Sequence, residues 1–270
     1  MRHENSNLYL LIDNGLLQAA SAGYSETDSK RRPTWLMPIY AERALEVSPF
    51  LIDMDEAYEA GQLDQVMAYV NALVPALHVS IIETALPLAE MAQHLRRFIF
   101  ILDPEGKQLT LRCADCAVLM PLSSVLTEAQ WAAMRRSIAR WRVHDRSGRV
   151  IELRSVPAIE DVPTPLRLER DQIAALDEAS EPDHCLAKVK MMHHGAEFPG
   201  TVEEQYRWAN EAHQAWRASG NPSQLYFLFL TEAALTSRGK VLQRPEISEY
   251  LLMDDIHAFK INLRALNDKA

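Results

Sequence analysis

Cys113 and Cys116 are separated by two residues, the spacing at which two thiolates can share a zinc ion or cycle through a disulfide. His184, Cys185, His193 and His194 are the further donors that such a site would draw on. The second half of a zinc pattern, with its own short spacing, is missing. Cys113 falls at the end of a strand-like run and Cys116 at the start of an apolar segment, so buried or partly exposed thiols are expected. His184 beside Cys185 suggests a nucleophile and base, but adjacent residues on a helix point about 100° apart. His193 and His194, just before Gly195, read as a solvated loop or helix end. Asp53, Asp55 and Glu56 are clustered carboxylates where a strand runs into a helix, and acids at that place cap helices. There is no G-x-S-x-G, no H-E-x-x-H and no phosphate-binding glycine loop. An enzyme is therefore not expected, and no cofactor or metal is assigned.

A second group of residues could act by binding. Between Arg135 and Arg154 there are seven arginines against Asp145 and Glu152, on a chain of net charge −9. Arg140, Arg142, Arg146 and Arg149 lie on two β-prone runs joined at Arg146-Ser147-Gly148. Their guanidinium forks suit carboxylates on an acidic partner segment. The competing reading is a solvated, salt-bridged hairpin. Trp141 alternates with the arginines, so it faces the core if they face water. The run Tyr226-Phe227-Leu228-Phe229-Leu230 offers a further candidate surface, through Tyr226, Phe227 and Phe229, set against a plain core reading.

The elements that must position these groups divide the chain in two. Short apolar runs at 8–12, 49–54 and 79–82 read as strands. Trp35 to Tyr40 holds Pro38 and reads as edge or loop. Residues 55–73 carry Tyr58, Leu63, Met67, Val70 and Leu73 at helical spacing, interrupted by Gly61. A helix over 86–95 turns Leu88, Met91 and Leu95 inward. The runs 98–102 and 109–111, split by Asp103-Pro104-Glu105-Gly106, form a hairpin. Thr127 and Gln130 form a capping box for a helix carrying Trp131, Met134 and Ile138 on one face. Alternating strands and helices indicate a mixed α/β lobe over 1–157. Residues 158–168 hold Pro163 and Pro165 and read as a linker; 23–32 is polar and loop-like.

From 169 to 270 the pattern is helical. Residues 170–178 turn Ile173 and Leu176 to one side. Thr201 and Glu204 open a helix with Val202, Tyr206, Ala209, His213 and Trp216 in register, closed by Gly220. Asn221-Pro222 starts the next helix, apolar all round, which runs to about Ser237 and stops at Gly239. A final helix over 246–266 repeats Leu252, Ile256, Phe259, Leu263 and Leu266. The fold class is thus α+β: an N-terminal lobe around a central sheet and a C-terminal all-helical lobe.

Composition excludes some partners. An acidic chain is a poor general binder of nucleic acid, since phosphate neutralisation needs a basic surface. An RNA-binding hairpin is therefore disfavoured. No early apolar run reaches the roughly 18 residues of a membrane span, and the first residues lack a signal-peptide core. Three cysteines suit a reducing compartment, so a cytoplasmic location is expected.

Several motifs together resemble a known family. They are Leu8-Tyr9-Leu10-Leu11-Ile12-Asp13, Pro49-Phe50-Leu51-Ile52, Leu95-Arg96-Arg97-Phe98, Leu111-Arg112 with Asp115 and Val118-Leu119, and Trp141-Arg142 before Asp145 and Gly148. In order and spacing they are similar to the adaptor chaperones of the bacterial type VI secretion system, often called Tap or Tec proteins, over about 7–155. One departure is that Cys113 and Cys116 flank Asp115 where an aromatic and often a proline is expected. The resemblance implies a central sheet packed by helices, and a non-enzymatic protein that binds a cognate toxin effector and helps load it onto the VgrG spike. It further implies an effector segment held in an apolar, arginine-rimmed groove, between the lobes or on the helical lobe. The alternative is a thiol- or zinc-dependent enzyme built on Cys113, Cys116 and the histidines.

Overall fold

The computed structural model describes residues 6–20, 32–157, 162–195 and 197–268. Of the expected 23–32 loop, all but the last residue lies outside them. The chain forms two compact units, 1–176 and 177–270, and its class is α+β.

The first unit runs β1 (Asn7–Ile12), α1 (Asn14–Ala20), β2 (Leu36–Pro38), a 3-10 segment (Glu42–Val47), β3 (Phe50–Asp53), α2 (Met54–Glu59), α3 (Leu63–Val70), β4 (Val79–Thr84) and α4 (Leu88–Arg96). It continues through β5 (Phe100–Leu102), β6 (Gln108–Thr110), α5 (Cys116–Val125), α6 (Glu128–Met134), β7 (Ile138–His144), β8 (Val150–Glu152) and β9 (Leu166–Arg167). Six strands form one sheet in the order β2-β3-β1-β4-β7-β8, antiparallel at every step. Its inner strands are covered on both faces, which is why they read as continuous apolar runs rather than alternating ones. Tyr9, Leu11, Leu51, Ile82, Trp141 and Val143 pack on one side with α4, α5 and α6. Leu10, Ile12, Phe50, Ile52 and Val79 pack on the other with Ala57 of α2 and Val66 of α3.

The expected hairpins are present, with Ile101 opposite Leu109 and Arg142 opposite Glu152. Thr127 and Gln130 make the reciprocal capping box. The helix they open ends at Met134, however. Ser137 turns the chain at φ 66, and Ile138 begins β7 instead of completing a helical stripe. The 55–73 helix is broken at Gly61, whose φ of 68 suits glycine. That break shifts the phase of the stripe: Val66 is buried, whereas Tyr58 is 71 % exposed and Met67 faces water. In the proline-rich stretch, 158–161 lie outside the described residues. Beyond them β9 pairs in parallel with β5, and Leu166 and Leu168 are fully buried in the first unit's core.

Helix α7 (Arg170–Met192) gives its first turns to this unit, where Ile173 and Leu176 pack, and its remainder to the second. It is far longer than the expected 170–178, because Pro182 is accommodated inside it. The second unit adds α8 (Val202–Ser219), α9 (Gln224–Thr236), a 3-10 turn (Lys240–Gln243), α10 (Glu246–Tyr250) and α11 (Ile256–Asn267). The Thr201–Glu204 capping box opens α8, and Gly220, at φ 69, closes it. Trp208 of α8 explains two loop glycines: a Cβ built on Gly200 or Gly239 would stand 2.7 or 2.5 Å from its ring. Helix α9 begins two residues later than Asn221-Pro222 implies. Asn221 Oδ1 instead accepts from Ser223 N at 2.9 Å, and Ser223 is the N-cap. The last expected helix is two, α10 and α11, parted near Asp254. Leu252 is 68 % exposed in the break, while Phe259, Leu263 and Leu266 keep the seam.

Candidate functional site

The thiols come first. Cys113 and Cys116 are buried, and burial pushes each up to about 12. The Cys116 thiol donates to the Val79 carbonyl at 3.2 Å. Cys185 is buried too, and burial pushes it up to about 11. All three therefore keep their protons at neutral pH, the form in which a thiol is a poor nucleophile. His193 bonds Glu232 Oε1 at 2.9 Å, and His194, with φ 55, turns the chain after α7. Among the described residues, no group of three or more His, Cys, Asp or Glu side chains is placed to hold a metal ion.

The arginine hairpin forms as β7–β8, with Trp141 facing the core as its alternation implies. Trp141 stacks on Trp131 at 5.9 Å between ring centres, and its indole N–H donates to Ser80 Oγ at 3.1 Å. The arginines meet the chain's own acids. Arg140 sends Nε and Nη2 to Glu152 Oε2 at 3.2 and 2.9 Å. Arg142 bonds Glu83 on β4, the neighbouring strand. Arg149 pairs with Asp145 at 3.0 Å across the turn. Arg146 also has a partner within the chain. The acid that sequence reading missed is Glu83: it lies over fifty residues from Arg142, and only the β4–β7 register brings it opposite Arg140.

The aromatic run divides by face. Tyr226 and Phe227 are buried in the second unit, with Phe227 stacked on Trp216 at 5.5 Å. Tyr226 donates its hydroxyl to Met253 O at 2.6 Å. Phe229 is half-buried, with the Lys260 ammonium 4.1 Å from its ring centre.

Two aspartates from separate motifs meet in the first unit, a juxtaposition the sequence reading did not draw. Arg112 Nη2 lies 3.0 Å from Asp13 and 3.6 Å from Asp115. Asp13 Oδ1 accepts from Leu16 N at the start of α1, and Asp115 Oδ1 from Ala117 N at the start of α5. One guanidinium thus joins two helix caps. Arg96 acts similarly, donating to Ile39 O at 3.0 Å and Pro38 O at 2.9 Å, which ties α4 to the end of β2. Asp53 caps α2 through Asp55 N and Glu56 N, as a cluster of acids at a strand end implies.

The second unit holds an open groove of about 550 Å³ between α7 and α9. Asp177, Glu181, His184 and Lys188 line it from α7, and Leu225, Phe227 and Leu228 from α9. Glu181 is occupied by His213, whose Nε2 lies 2.5 Å from its carboxylate. Leu225, an apolar side chain at the rim, is 51 % exposed. The volume is in the range of sites that receive ligands or side chains.

Residues 8–133 match the family model described as a domain of unknown function, DUF4123. That domain is associated with effector adaptors of the type VI secretion system. The match covers just under half of the chain and runs from the second residue of β1 through most of α6; β7, β8, β9 and the second unit lie beyond it. It includes Asp13, Arg96, Arg112 and Asp115, whose bonds hold the first unit together. No curated protein and no solved structure matches the chain.

Proposed function

We propose that this chain is a non-enzymatic, cytoplasmic adaptor chaperone that binds a cognate toxin effector and helps load it onto the VgrG spike of a type VI secretion system. The observation that carries the reading is the match of residues 8–133 to a domain associated with such adaptors. The chemistry of the chain supports it. The thiols are buried and protonated, and the conspicuous aspartates cap helices. An open groove with an apolar wall remains, and apolar concave surface is what protein partners use. The mechanism is equilibrium binding. A segment of the effector that would aggregate if exposed is covered until it reaches the spike, and no covalent bond changes.

The test is co-expression with the product of the neighbouring toxin gene, followed by purification through a tag on the toxin. Stoichiometric co-elution is expected. Failure to co-elute, with both chains shown to be folded, overturns the proposal.

A further inference from the structure

We infer that the groove between α7 and α9 receives one amphipathic helix of the partner, antiparallel to α7, with an acidic residue near its N-terminus and a basic residue about three turns later. The inference rests on the adaptor reading and names the chemistry of the segment bound.

The groove has two unlike walls. On α9, Leu225, Phe227 and Leu228 line it with apolar side chains, Leu225 and Leu228 three residues apart. An apolar ridge of that spacing packs against residues spaced three and four apart on another helix. On α7, Asp177, Glu181, His184 and Lys188 follow at steps of four, three and four, which places them in one row. The row is acidic at its N-terminal end and basic at its C-terminal end. Its middle acid, Glu181, is spent on His213. The two end charges are not: among the described residues, neither Asp177 nor Lys188 has an ion-pair partner. This contrasts with Arg140, Arg142 and Arg149, which all meet acids of the chain itself.

Eleven residues of helix separate Asp177 from Lys188, a rise of about 16 Å. A partner helix lying in the groove would set a base against Asp177 and an acid against Lys188, a similar rise apart. Two orientations satisfy the charges. Antiparallel to α7, the partner carries its acid near the N-terminus and its base near the C-terminus, which its own macrodipole favours. Parallel to α7, both charges oppose the dipole. The antiparallel arrangement is therefore the one inferred.

The experiment uses the full chain and two labelled synthetic peptides of about 18 residues, each with leucines along one helical face. One has Glu in the first turn and Lys in the last; the other has them exchanged. Fluorescence anisotropy is expected to show the first bound about tenfold more tightly, the scale of two ion pairs plus the dipole term. The double variant Asp177→Lys, Lys188→Glu is expected to reverse that preference. Leu225→Glu is expected to weaken both peptides, with circular dichroism and melting temperature unchanged. Binding of neither peptide, or an unreversed preference, overturns the inference. The toxin separates this failure from that of the adaptor reading. A toxin bound equally well by the wild-type chain and Leu225→Glu removes the groove and leaves the adaptor; a toxin bound by neither removes the adaptor, and the peptide preference alone then decides the groove.

Discussion

The β7–β8 hairpin of the first unit and the α7–α9 groove of the second handle charge in opposite ways. The hairpin concentrates arginines in sequence, yet Arg140, Arg142 and Arg149 each hold a carboxylate of the same chain. The groove carries fewer charges, yet Asp177 and Lys188 stand at its ends without ion-pair partners among the described residues. A run of like charges in a sequence is therefore a poor guide to what a partner can reach. A strand register can bring an acid from far away and neutralise the run, as Glu83 does here. Arg140, Arg142 and Arg149 are engaged within the first unit, whereas Asp177 and Lys188 lie where two helices leave a gap.

Four measurements break or sharpen that contrast. The largest effect is expected inside the first unit. Trp141→Ala removes a fully buried ring that stacks on Trp131 and bonds Ser80, and a loss of about 3–5 kcal/mol is expected in denaturant unfolding. A loss below about 1 kcal/mol would mean that the hairpin is not anchored in the core.

Next comes alkaline pH. The Cys113 and Cys116 thiols sit at about 12 in the folded chain, against an ordinary value of about 8.5. Between these values the folded chain keeps protons that the unfolded chain has released. Their contribution is fully present below about pH 8.5 and is lost as pH rises towards 12. Stability of the wild type is expected to fall more steeply across that window than stability of a Cys113→Ala, Cys116→Ala variant. Tyr40, which burial also pushes up to about 12, contributes to the slope that remains. Equal slopes would place the thiols in contact with water.

Glu83→Gln follows. It removes the charged partner of Arg142 at a half-buried site, and a loss of about 1.5 kcal/mol is expected from chemical denaturation. If the hairpin arginines were held for a partner instead, the same change would leave stability untouched and alter binding of the toxin. The smallest change is expected for Asp177→Asn and Lys188→Gln, each within about 0.5 kcal/mol of the wild type, since neither group has an ion pair to lose among the described residues. A larger loss in either would show that the end charges of the groove are spent after all.

The sequence carried most of the local structure. Both capping boxes, both hairpins and the glycine stops at Gly220 and Gly239 follow from turn and cap chemistry that acts within a few residues. Phase was harder. The break at Gly61 was legible, but the phase of the stripe beyond it was not; the positive φ at Ser137 ended a stripe that periodicity alone would have continued, and α7 runs through Pro182 well past 178. The sheet order and β9 depend on pairings between distant residues, which no local pattern records. The partners of the candidate site residues were hidden for the same reason. Arg140 and Arg142 were recognisable, but not Glu83 opposite them. Tyr226 and Phe227 stood out as apolar; Phe227 does line the groove, but so do Leu225 and Leu228, which the run did not single out. Arg112 between Asp13 and Asp115 joins two caps about a hundred residues apart, visible only once the strands are paired.

Binding without chemistry is the claim on which the functional reading depends, and native mass spectrometry of the full chain mixed with the neighbouring-gene toxin tests it most directly. The expected spectrum shows a complex at the sum of the two masses, from which both chains are recovered unchanged. A changed mass on either chain, or folded chains that stay separate at micromolar concentration, would contradict it.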